Sequence, residues 1–132
     1  MAYVPMTAGG GGTMTETTLW TNASPTTAFN EQDITISDDM NNYDYLKITV
    51  NYNNTSSTTL MDFYVKVADF KTMTGAGHFS FPAGLIHTNS VFYFRPFTYT
   101  SDTKVHAGLT RYGSSTSGAA LIPVEIKGLK YA

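Results

Sequence analysis

The chain has 132 residues, a mass of 14.4 kDa and a formal charge of −2, from 8 Lys plus Arg against 10 Asp plus Glu; that length predicts one domain. Charged residues and aromatics each make up 14%, the aromatics as 9 Tyr, 8 Phe and 1 Trp, so polarity rests on hydroxyls and amides, and no basic patch for nucleic acid is present. With no Cys, a disulfide framework and a thiolate zinc site are excluded.

Met1-Ala2-Tyr3-Val4-Pro5 has neither the charged start nor the apolar run of a secretion signal. The longest apolar stretches, such as 91–94 and 119–124, are strand-sized and far short of the roughly 20 residues of a membrane-spanning helix, so no membrane partner is expected. Gly9, Gly10, Gly11 and Gly12 follow one another without hydrophobic periodicity. They predict a flexible arm over residues 1–16 and a folded domain over 17–132. Tyr3, Val4, Pro5 and Met6 are too apolar for a purely solvating tail, so an anchor that orders on docking stands beside a disordered leader as the reading of this arm.

From Thr17 onward the period is two, in a chain with 21 Thr, which predicts strands and almost no helix. In segment 43–52, Leu46, Ile48, Val50 and Tyr52 face one way, opposite Tyr45, Lys47, Thr49 and Asn51, giving one packed and one wet face. Segment 58–67 repeats the pattern, with Met61, Phe63, Val65 and Val67 opposite Asp62, Tyr64 and Lys66. It is expected to pair antiparallel with the first across a turn at 53–57. Further strands are predicted at 18–22, 33–37, 78–81, 91–99, 104–111 and 121–130, separated by turn-rich pieces that include 75–77 and 113–118. About eight short strands in one domain read as an all-β antiparallel β-sandwich, jelly-roll-like rather than a barrel.

Leu19-Trp20-Thr21-Asn22-Ala23-Ser24-Pro25-Thr26 through Phe29, then Ile34-Thr35-Ile36 and Tyr43-Asp44-Tyr45-Leu46, together with the closing segment Ile122-Pro123-Val124-Glu125-Ile126-Lys127-Gly128-Leu129-Lys130, resemble a recurring small structural domain of tailed-phage virions. The resemblance covers roughly residues 18–130 by pattern and is carried by the two ends. It implies a virion location, often the tip of a tail fibre or another projection. No fibre shaft, coiled coil or collagen-like repeat precedes the domain, so attachment to other virion proteins is expected through the arm or the domain surface. By residue chemistry alone, Trp20 is a buried anchor, and Ser24-Pro25 shapes a loop.

Catalytic chemistry finds little support. His78, His87 and His106 lie in unrelated segments without a nucleophile elbow, and their spacings match no short metal motif. The acidic loop 38–44 has calcium-type oxygens but lacks the Gly and distal Glu of an EF-hand, and Asx turns account for the same residues. Gly75-Ala76-Gly77 reads as a turn rather than a phosphate cradle, since no helix follows it. No catalytic residue, metal or cofactor is assigned.

Surface recognition remains. Segment 91–99 has Phe92 and Phe94 on one face and Tyr93, Phe97 and Tyr99 on the other. A sandwich strand buries one face, so the second face is expected to be a subunit interface formed by Tyr93, Arg95, Phe97 and Tyr99, with Arg95 paired to a carboxylate or capping carbonyls. Tyr52, Asn53 and Asn54 in one loop and Tyr112, Ser114 and Ser115 in another are candidate ligand residues, their amides and hydroxyls suited to saccharide hydroxyls and the two tyrosines to stacking. The expectation is a non-enzymatic, homotrimeric virion protein that binds a host-surface saccharide. The alternatives are a capsid decoration or head-fibre protein without a receptor role, a carbohydrate-binding module, and a small hydrolase, the last needing convergent acids or a His pair in a pocket.

Overall fold

The computed structural model describes residues 13–74, 80–86 and 91–132. Ten strands lie among them: β1 (Met14–Thr21), β2 (Gln32–Thr35), β3 (Tyr45–Asn53), β4 (Ser56–Lys66), β5 (Phe81–Ile86), β6 (Phe92–Ser101), β7 (Lys104–Ala107), β8 (Thr110–Tyr112), β9 (Ser115–Ser117) and β10 (Ala120–Tyr131). A 3-10 turn at Met40–Asn42 and one helical turn, α1 (Val67–Phe70), complete the regular structure there. The chain is all-β, with two antiparallel sheets as in a β-sandwich. One sheet runs β1-β10-β3-β4. In the other, β6 is central: β5 lines one edge from Phe81 to Ile86, and β7 and β8 follow one another along the opposite edge, where β2 and β9 pair with them.

The period-two faces become the core. Leu46, Ile48 and Val50 of β3 are fully buried, as are Phe97 of β6 and Ile122 and Ile126 of β10. β3 and β4 pair as expected, turning at Asn54 and Thr55. The second face of β3 is not uniformly wet. Thr49 and Asn51 are buried there, with the Asn51 amide donating to the carbonyls of Pro25 at 2.8 Å and Asn53 at 2.7 Å, so the loop before β2 covers that end of the sheet.

Two boundaries differ from the sequence reading. β1 begins at Met14, so Met14, Thr15 and Glu16, assigned above to the arm, pair with Tyr131, Lys130 and Leu129; polar, exposed edge-strand residues carry no burial pattern by which to recognise them. Residues 1–12, His78, His87 and Gly75-Ala76-Gly77 lie outside the described residues. The strand expected at 104–111 is broken between β7 and β8 at Gly108, whose N–H donates to the Pro96 carbonyl at 2.9 Å. A Cβ at Gly108 would lie 2.7 Å from Pro96 Cγ, a distance no side chain tolerates, so the proline ring takes the space where a regular strand would carry a substituent.

The proposed interface needs a larger correction. Arg95 and Phe97 are 0% exposed within the single chain, and Tyr93 and Tyr99 pack half-buried against the same core. The face carrying Tyr93, Arg95, Phe97 and Tyr99 is therefore the inner face of β6, and Phe92, Phe94 and Pro96 look outward. An arginine tolerates this position because all five of its N–H donors find main-chain carbonyls. Nε donates to Leu121 at 2.8 Å, one terminal nitrogen to Phe29 at 3.2 Å and Gly108 at 2.5 Å, and the other to Gly118 at 3.2 Å and Ala120 at 3.1 Å. Burial pushes the guanidinium pKa down to about 10, still well above neutrality, so the full donor set is present at pH 7.

Removing such a fork strands both the carbonyls and the space it filled. Arg95→Met is expected to lower unfolding stability by about 3–5 kcal/mol, within the range for deleting one side of a buried charged network. Urea unfolding of the variant checks this, and a loss below about 1 kcal/mol, the worth of one ordinary hydrogen bond, contradicts it.

Candidate functional site

Alternation along β6 sends Pro96, Thr98 and Thr100 to the outer face of the six-stranded sheet. His106 of β7 lies opposite Thr98 on one side and Asp33 of β2 on the other. With Glu31, Ser80 and Gly108, these side chains line a half-open groove of about 370 Å³, at the lower end of the roughly 300–1,000 Å³ of small-molecule sites. Pro96 and Gly108 make its floor, and the Ser80 and Thr98 hydroxyls stand 3.1 Å apart on one wall.

His106 is held from both ends. Its Nδ1 lies 2.8 Å from Asp33 Oδ1 and its Nε2 2.8 Å from Glu31 Oε2. The hydrogen bond to Glu31 raises the imidazole pKa above its ordinary 6.5; partial burial opposes this and the Asp33 hydrogen bond adds to it. In the protonated state both ring N–H groups donate, and β2 is latched to β7 by side chains as well as by its ladder.

The loop residues named from sequence are placed as follows. Tyr52 packs partly buried against the core, and Tyr112 stacks on Tyr93 with centroids 4.9 Å apart at 21°, so neither ring is a free platform on both faces. Asn53 Oδ1 accepts from the Thr55 N–H and hydroxyl at 2.9 and 2.7 Å, which closes the β3–β4 turn. Asn54, Ser114 and Ser115 are exposed. The structure does bring the two hairpins together: Asn53, beside the β3–β4 turn, lies opposite Ala120, whose carbonyl accepts the hydroxyl of Thr110, at the root of β8–β9, at 2.6 Å.

The acidic loop is internally bonded. Asp38 accepts from the Asp39 N–H, Asn42 and Tyr43, and Asp39 from the N–H and amide of Asn41. Among the described residues no three metal-ligating side chains form a cation site. The association of Glu31, Asp33 and His106 escaped sequence reading because its members are 73 and 75 residues apart; the local alternation of Val105, His106 and Ala107 signals a strand surface and nothing more. In comparisons with known proteins, neither the families nor the curated proteins searched match this chain.

The sign of the pH effect follows from the raised pKa. Stability from the latch is fully present below the unfolded histidine's value of about 6.5 and is lost as pH rises through the higher folded value. An NMR titration of the His106 ring is expected to show a midpoint above 6.5, lowered in Glu31→Gln. A midpoint at or below 6.5 contradicts the doubly bonded imidazole.

Proposed function

We propose that the chain is a non-enzymatic structural protein of a phage virion that projects from the particle and binds a host-surface saccharide. The observation that carries this reading is the polarity of β10. Its start, Ala120, lies opposite Asn53 at the β3–β4 turn and beside Thr110 at the root of the β8–β9 hairpin, and its end, Tyr131, lies opposite Met14, near where the described chain begins. At about 3.3 Å per residue the two ends are roughly 35 Å apart. A domain attached through its N-terminal side thus presents the hairpin tips at the far end, where side chains vary without disturbing the core.

The virion assignment is supported by the resemblance described above, and its residues have a structural role here. Leu19, Ile34 and Ile36 are buried, and Trp20 meets Phe29 edge to face at 5.9 Å. These residues specify the fold, while recognition is left to the surface. The proposal includes a homotrimer, with the outward side chains at the paired Ile86 and Phe92 ends of β5 and β6 as the contact in place of the buried face of β6, leaving Pro96, Thr98 and Thr100 outside it. Phe92 there is 46% exposed and stacks on Phe94, and Ile86 is 68% exposed, an apolar patch of the kind that marks association.

Two experiments check this. Light scattering is expected to give a trimer that Phe92→Ser plus Ile86→Ser converts to monomer; a monomeric wild type at micromolar concentration contradicts the assembly. Purified trimer added to host cells before phage is expected to block adsorption, and deletion of residues 1–12, which spares β1, is expected to leave folding intact while abolishing incorporation into particles. A folded trimer that neither binds cells nor blocks adsorption contradicts the adhesin reading and favours capsid decoration.

A further inference from the structure

We propose that the groove floored by Pro96 and Gly108, and not the hairpin tips, holds the saccharide, and that it takes an uncharged sugar; this rests on the saccharide-binding reading above, moves its address from the tips to the groove and gives it a ligand class. Its floor is a flat apolar ring. The absence of a side chain at Gly108 lets the Pro96 ring lie across the break between β7 and β8, which suits the C–H face of a pyranose. Its walls carry the Thr100 hydroxyl, which both donates and accepts, and the Ser80 and Thr98 hydroxyls, which share one hydrogen bond at 3.1 Å and together still offer one donor and their remaining acceptor sites. Glu31 adds an acceptor, because Oε2 binds His106 while, among the described residues, Oε1 takes no hydrogen bond. Sugar hydroxyls, each a donor and an acceptor, complement such a lining.

Charge decides the class. His106 is the sole cationic side chain among the lining residues, and both its nitrogens already face carboxylates, Asp33 and Glu31. On β7, Lys104 lies two residues away, and β6 contributes only uncharged Thr98 and Thr100 opposite. Within the groove an anionic sugar would meet the Glu31 carboxylate with no unpaired cation among the lining residues, Lys104 lying outside them on the same face of β7, whereas a neutral sugar desolvates no charge of its own. A shallow groove of this size binds weakly, and three copies on one trimer supply the avidity that adhesion needs.

The test is an NMR titration of the folded protein with maltohexaose, cellohexaose and the hexamer of N-acetylglucosamine as neutral probes, and hexagalacturonate as the anionic one. At least one neutral probe is expected to shift Ser80, Thr98, Thr100 and His106 resonances, with hexagalacturonate weaker by at least tenfold. Thr98→Val plus Thr100→Val, a β-branched exchange that leaves the His106 latch in place, is expected to weaken that binding about tenfold at an unchanged unfolding midpoint, while Asn54→Ala plus Ser114→Ala has no effect. Absence of groove shifts with all three neutral probes, or equal binding of the uronate, overturns the proposal. Host-cell binding separates the two levels of the argument: cells bound equally well by wild type and the double-valine variant remove the groove but keep the adhesin reading, and cells bound by neither remove both.

Discussion

A buried guanidinium with no carboxylate partner among the described residues organises this fold. Arg95 sits on β6 of one sheet, yet its acceptors belong to the start of β10 in the other sheet, to the Phe29 loop, and to Gly108 and Gly118 beside β8 and β9. Five carbonyls from three segments, the Phe29 loop, Gly108 and residues 118–121, converge on one rigid fork, which fixes their relative positions more tightly than apolar contacts would. The ring of Phe29 adds a face 5.7 Å from the guanidinium carbon.

The backbone bends to make this arrangement. Successive carbonyls in a strand point to opposite edges, but Ala120 and Leu121 both accept from Arg95. Leu121 has φ +48°, the one non-glycine residue with positive φ among those described, and this left-handed position redirects its carbonyl toward the fork. Gly118 completes the set. A Cβ there would lie 2.7 Å from the Phe29 carbonyl oxygen, so only glycine lets the two loops approach closely enough to share the arginine. The same fork reaches the outer surface, since Gly108 accepts from Arg95 on the inner side and shapes the groove floor with Pro96 on the outer side. Core and candidate site therefore meet at one peptide unit.

Much of the architecture was legible from period-two alternation, because burial on one face of a sheet writes itself into sequence. The face of β3 named for Leu46, Ile48 and Val50 is buried, and β4 pairs with it in the expected antiparallel register, whereas β10 buries neighbouring residues on both faces around its bulge at Pro123. The failures have physical causes. Arg95 misled the reading of β6, since a charge amid aromatics suggests an outward face unless its donors are all met, and its acceptors are carbonyls that every residue possesses. β9 and residues 15–18 of β1 are built of Ser, Thr and Glu, with no apolar alternation to mark them. The Glu31, Asp33 and His106 cluster joins strands distant in sequence, so pairing register, and not composition, creates it.

In solution, Arg95 holds all five carbonyls at once. Nitrogen-detected NMR of the arginine side chains reads this directly at neutral pH. A saturated fork restrains rotation about the Cζ–Nη bonds and shields the protons, so Arg95 should give separate, slowly exchanging Nη–H signals distinct from those of exposed Arg111. A single averaged Nη signal for Arg95, exchanging as fast as that of Arg111, would contradict the account.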